Sequence, residues 1–183
     1  MTKRIPDWLK SAREHWNFKG QKRPDFAIEP GPNQESVWDY PRPPALVADD
    51  RLVVVKAGEQ VIAESRSTMR VLETASPPTF YIPPQDVDMA QLVNAAGSSI
   101  CEWKGAAEYW RLANGPARAV GWSYPQPFEA FESIRDFMAF YPSRVDCFID
   151  DQRVRPQAGE FYGGWVTDEI VGPFKGVPGT SGW

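Results

Sequence analysis

Two charged side chains at the ends of apolar stretches make the sequence's best case for chemistry. Glu73 ends the run STMRVLE and stands before TASPP; Lys104 ends SSICEWK, just before Gly105. If these ends converge, a carboxylate and an ammonium form a polar floor, with Arg70 beside them. Burial raises a carboxyl pKa and a neighbouring ammonium lowers it again, which is how an acid–base pair is tuned. The plainer reading is a salt bridge that locks two strands, because ion-pair networks shift pKa values without any catalysis.

A second group is aromatic: Tyr81, Trp103, Tyr109, Trp110, Trp122 and Tyr124. Strand alternation sends Tyr109 and Trp110 to opposite faces, so only some of the group can share a cavity. Concave aromatic sites with few polar groups bind small organic molecules, and ring faces hold cations. The competing reading is that these rings fill the wedge between two sheets and satisfy their polar tips there. A ligand site built on this group comprises Arg70, Glu73, Tyr81, Trp103, Lys104, Trp122 and Tyr124, with Glu73 and Lys104 as the catalytic candidates.

Other reactive residues point to less. A cysteine nucleophile wants a base or a positive charge nearby. On a continuous strand Lys104 lies on the opposite face from Cys101 and roughly 10 Å away, so Cys101 reads as a small buried hydrophobe. The single histidine, His15, reads as a surface helix residue. Two cysteines and one histidine cannot supply a closed zinc site of four Cys or His ligands, so no metal is expected. The tail sequence GPFKGVPGTSGW lacks the order of a phosphate loop and has no helix to follow it. Nothing in the chain calls for a cofactor.

The elements that must position these residues are short. Eighteen prolines and 14 glycines in 183 residues bar long helices and favour strands and turns. Residues 6–17 have a helical stripe of Trp8, Leu9, Ala12 and Trp16. Residues 18–50 read as an irregular, aromatic arm. From residue 51 the pattern is hairpin, strand, a proline-bounded strand at 79–82, and one or two helical turns capped by Asp86. A hairpin follows at 98–113, with Gly105 as its bend; Asn114-Gly115 makes a tight turn and residues 117–123 return. Phe131, Ile134, Phe137, Met138 and Tyr141 recur at helical spacing and predict the main helix. A last hairpin turns at Asp150-Asp151, with Val145, Cys147 and Ile149 on one face. The chain thus divides into an N-terminal helix and arm (1–50), a β-rich core (51–156) and a Gly-rich aromatic extension (157–183). The fold expected is mainly β, two antiparallel sheets with one main helix.

Bulk properties narrow the partners. A net charge of −4 and a pI near 5.1 speak against nucleic acid, which needs a basic face. No apolar run approaches the roughly 20 residues that span a bilayer. The opening MTKRIPDWLK lacks the apolar core and cleavage site of a secretory signal, so a cytoplasmic location is expected. The aromatic arms wrap the domain or cover a second copy in a homodimer.

The stretches RVLETASPPTFYIPPQDV, CEWKGAAEYW, GWSYPQP and MAFYPSRVDCFID together resemble the bacterial and fungal domain-of-unknown-function family 427. The flanking ESVWDYPRPP and FYGGWVTDEIVGPFKGVPGTSGW are similar to its longer members, so the resemblance covers roughly residues 35–183. It implies a small β domain like the tent-shaped folds of methionine-R-sulfoxide reductases, two antiparallel sheets meeting at an angle. The paired-cysteine zinc clamp of those relatives is missing here. The family is sometimes labelled nucleotidyltransferase-like; Asp86-x-Asp88 occurs, but without the Gly-Ser pair such enzymes place before it. The resemblance carries no activity with it. The leading expectation is a small-molecule-binding domain with an aromatic cleft. The alternatives are a metal-free enzyme with a Glu73/Lys104 acid–base pair and a structural homodimer.

Overall fold

A computed structural model describes residues 5–183. The first four residues of the N-terminal arm lie outside it.

The chain opens with helix α1 (Asp7–Glu14), the one α-helix among the described residues, which buries Leu9. Its acidic first turn and basic last turn suit the helix dipole. The arm then contributes strands β1 (Glu35–Ser36) and β2 (Ala45–Asp49). Next come β3 (Val53–Ala57), β4 (Gln60–Ser65), β5 (Thr68–Glu73) and β6 (Ser76–Tyr81). After two short 3-10 turns the chain forms β7 (Leu92–Cys101), β8 (Gly105–Leu112) and β9 (Gly121–Ser123). The remainder holds β10 (Ala139–Phe140), β11 (Asp146–Ile149), β12 (Gln152–Arg153), β13 (Arg155–Pro156), β14 (Trp165–Val166) and β15 (Ile170–Val171).

The architecture is mainly β and mostly antiparallel, but the strands form more than two sheets. Two have four strands, ordered β10-β9-β8-β7 and β12-β11-β3-β4; a third is β2-β5-β6. Two-stranded ribbons join β13 to β14 and, in parallel, β1 to β15. The third sheet exists because the arm, expected to be irregular, lays Ala45–Asp49 along Leu72–Thr68. Five residues following a proline pair give too little alternation to announce a strand; pairing with β5 supplies what local pattern does not.

The predicted main helix is instead a 3-10 segment, Glu129–Ile134, followed by strand β10. Phe131 (φ −117°, ψ 16°) interrupts the helical backbone, and Asp136 takes φ 62°. Phe131, Ile134, Met138 and Tyr141 are all buried as their spacing foretold. A 3-10 turn leading into a strand presents those positions inward as well as a helix would. The cap also moves: Asp88, not Asp86, accepts from the Ala90 amide, while Asp86 accepts from the Ser65 hydroxyl at 2.5 Å. Asn114-Gly115 does not make a two-residue hairpin, which would need positive φ at both positions. Neither has it, and the link between β8 and β9 runs wide.

The main core lies between the β3-containing sheet and β6. Val53, Val55, Ile62, Ile82 and Phe140 are fully buried, and Cys147 is in the same cluster. Each such side chain contributes about 1.5–3 kcal/mol of burial. Trp165 stacks on Phe80 at 5.0 Å and donates from Nε1 to the Phe140 carbonyl at 3.0 Å. The two arms meet in a second cluster, where Trp38 packs edge-on to Phe18, Phe26 and Trp183 at 5.1–5.2 Å. Trp38 Nε1 donates to the Pro173 carbonyl at 3.1 Å.

Candidate functional site

Tyr81 ends β6, and the next residue, Ile82, exchanges two 2.8 Å backbone hydrogen bonds with Met138 on the approach to β10. That bridge brings sheet β2-β5-β6 against sheet β10-β9-β8-β7. A cavity of about 230 Å³ opens beside the junction. Glu73, Tyr81, Lys104, Trp122 and Tyr124 all line it. The structure therefore brings together five of the seven residues singled out from sequence.

The other two sit elsewhere. Arg70 faces the opposite way on β5, with Nη2 3.2 Å from Glu35 Oε1 and Nε 3.4 Å from Asp49 Oδ2. Trp103 lines a separate depression of about 870 Å³ with Arg13, Phe128 and Phe131. The Arg13 guanidinium lies 5.0 Å from the Trp103 ring centroid. Strand alternation accounts for Arg70, which lies an odd number of residues from Glu73. Trp103 sits in the β7–β8 turn, where alternation no longer applies.

That turn also corrects the reading of Cys101. Strand β7 stops at Cys101, residues 102–104 reverse the chain, and Gly105 takes φ 107°, which a residue with Cβ adopts poorly. Lys104 is thereby folded back toward Cys101 instead of continuing along a strand. Cys101 and Lys104 line the same cavity.

Lys104 is only 9% exposed. Burial opposes its charge, but Cys101, Tyr81 and Glu73 together outweigh burial and push its pKa up. Burial pushes the Tyr81 phenol up while Lys104 opposes the shift, and Tyr124 is pushed well above its ordinary value. Trp122 Nε1 donates to Tyr81 Oη at 3.2 Å, the Tyr124 ring lies 6.3 Å from that of Tyr81, and Ser99 Oγ lies 2.7 Å from Tyr109 Oη. The Trp122 ring lies 4.5 Å from that of Tyr141 and edge-on to Tyr81.

Glu73 does not close on Lys104. Its Oε1 accepts from Arg42 Nε at 3.1 Å, and Arg42 also donates to the Phe18 and Thr74 carbonyls at 2.9 Å. The Arg42 guanidinium lies over the Trp16 ring at 4.4 Å. The carboxylate and ammonium do share a cavity, with Arg42 between the sequence's expectation and a closed pair.

Several wall residues escaped sequence reasoning. Trp16 comes from just beyond α1, and Tyr162, Gly163, Gly164 and Lys175 come from the C-terminal extension. Lys175 Nζ stands 3.5 Å from the Trp16 ring centroid and 5.6 Å from that of Tyr162. Burial lowers its pKa to about 8, Glu73 opposing and Arg42 reinforcing. The aromatic richness of the extension was the available signal. It indicates packing but not which cavity is packed. His15 is exposed and Cys147 buried, both as read from sequence.

Comparison with curated proteins returns no match. A family model described as a domain of unknown function, DUF427, matches residues 45–151 and so takes in Glu73, Tyr81, Lys104, Trp122 and Tyr124, though not Trp16 or Lys175. The chain belongs to the DUF427 family.

Proposed function

We propose that the protein binds a small organic molecule in the cavity between the two sheets. One observation carries this reading: residues from β5, β6, β9 and the β7–β8 turn place Glu73, Tyr81, Trp122 and Lys104 around one hollow. Aromatic walls with a few buried polar groups are the usual make-up of a ligand site. Packing alone would favour filling such a hollow, since interiors reach crystal-like density. The acid–base alternative is the weaker reading, because Arg42 already holds the Glu73 carboxylate.

A cavity-filling variant tests the proposal. Ala107 lines the hollow and is 2% exposed, so Ala107→Leu places three more carbons in it. A fragment library is screened by thermal shift and ligand-observed NMR on both proteins. Compounds that engage the wild type and lose the variant support a site here. Compounds that bind both proteins equally, or a library with no binder, refute it.

A further inference from the structure

Among the described residues, two lysines line the cavity without a carboxylate in contact with either. Lys104 and Lys175 are 9% and 4% exposed, and both line the hollow. Among the described residues neither has a carboxylate within salt-bridge distance. The two nearby carboxylates are engaged: Glu73 by Arg42 at 3.1 Å, and Glu102 by Trp16 Nε1 at 3.0 Å. Burying an ammonium without an anion costs several kcal/mol, so buried charges are normally paired.

Tyr81 adds a third group. Its oxygen already accepts a hydrogen bond from Trp122 Nε1. A phenol that accepts one hydrogen bond still has its own proton to donate. An ammonium and an O–H donor beside one another make a receptor for an oxyanion.

Resting on the proposed binding role, we infer that the ligand is a small ring-bearing organic acid, its anionic group held by Lys104 and Tyr81 with Lys175 as a second cation. Size sets the ring. The 230 Å³ hollow equals about eight water molecules at ~30 Å³ each, room for one ring and one acid group. The walls supply ring faces from Trp122, Tyr124 and Tyr141. A cationic ligand would need a free carboxylate; Glu73 is held by Arg42, and Glu102 accepts from Trp16 Nε1 and Cys101 Sγ.

The Lys175 amine faces Glu73 of β5, Arg42 of the arm, Glu102 of the β7–β8 turn and the Trp16 and Tyr162 rings. An anion arriving in that setting favours the protonated amine, so binding takes up protons near pH 8 and weakens at higher pH.

Three probes of one shape and different charge test the inference: benzoate, benzamide and benzylammonium, titrated at pH 7 by tryptophan fluorescence and by chemical-shift changes. Benzoate is expected to bind at least about tenfold more tightly than benzamide, and benzylammonium not to saturate. Lys104→Met and Lys175→Met should each weaken benzoate by about tenfold and benzamide by much less. Should Lys104→Met fail to fold, Lys175→Met and the wild-type comparison decide. Benzamide or benzylammonium binding as tightly as benzoate overturns the anion inference and leaves the cavity's binding role standing. If none of the three saturates, the inference and the binding role both fall.

Discussion

Raising the pH from 7 to 9 is expected to stabilise the protein, through Lys175. Its amine has a pKa of about 8 in the folded chain against an ordinary lysine value of 10.5, because burial disfavours the charge. Between those two values the unfolded chain holds a proton that the folded chain has released. Stability rises with pH wherever the unfolded state binds more protons, so the gain runs upward from about pH 8 toward 10.5. Each pH unit inside the window is worth about 1.4 kcal/mol. The amine lines the cavity, so solvent screening discounts this figure. Between pH 7 and 9 the amine releases about half a proton on average, which gives about 1.4 kcal/mol before screening and about 1 kcal/mol after it. Above pH 9 the trend is opposed. Burial holds the Cys147 thiol protonated in the fold after it has ionised in the unfolded chain, which lowers stability as pH rises. The assay is urea unfolding at pH 7, 8 and 9 on the wild type and Lys175→Met, with the slope on denaturant held as a check. Subtracting the variant cancels Cys147 and the tyrosines. The wild type should gain about 1 kcal/mol on the variant over the interval, or about 2–4 °C in Tm. Curves that stay parallel would refute the assignment of a depressed, buried amine.

Two further substitutions probe the same region. Arg42→Met leaves Glu73 without its partner and two carbonyls without donors, and should cost about 3–5 kcal/mol in chemical denaturation; a loss under about 1 kcal/mol would show the pair to be dispensable. Gly163→Ala brings a methyl within 2.2 Å of the Trp122 ring, so the indole must shift. The expected cost is about 1–3 kcal/mol of stability, together with a changed tryptophan emission maximum; an unchanged spectrum and stability would count against the close approach of extension and sheet.

Local patterns made the hairpins legible. Gly58 turns β3 into β4, and Asp150, at φ 49°, turns β11 into β12, both where the turn chemistry put them. Val145, Cys147 and Ile149 share an inward face because strand alternation leaves no other arrangement. Tyr81, Trp122, Tyr124, Glu73 and Lys104 meet because each lies at or near a strand end, and strand ends gather where sheets join. Non-local contacts were not legible. Glu73 finds Arg42 across 31 residues, and Lys175 reaches the cavity from a Gly-rich stretch with no periodicity to read. The placement of Lys104 beside Cys101 is hidden for a different reason: a strand continued three residues past Cys101 would carry Lys104 to the opposite face, whereas the strand ends at Cys101.

The cavity is assembled from separately encoded parts. Trp16 lies before the stretch matched by the family and Tyr162 and Lys175 lie after it, while the floor is internal to that stretch. Floor and rim can consequently diverge at different rates. Insertions or replacements in the flanks alter what the hollow admits without touching the sheets that keep the domain folded, so members sharing the β scaffold need not share a ligand.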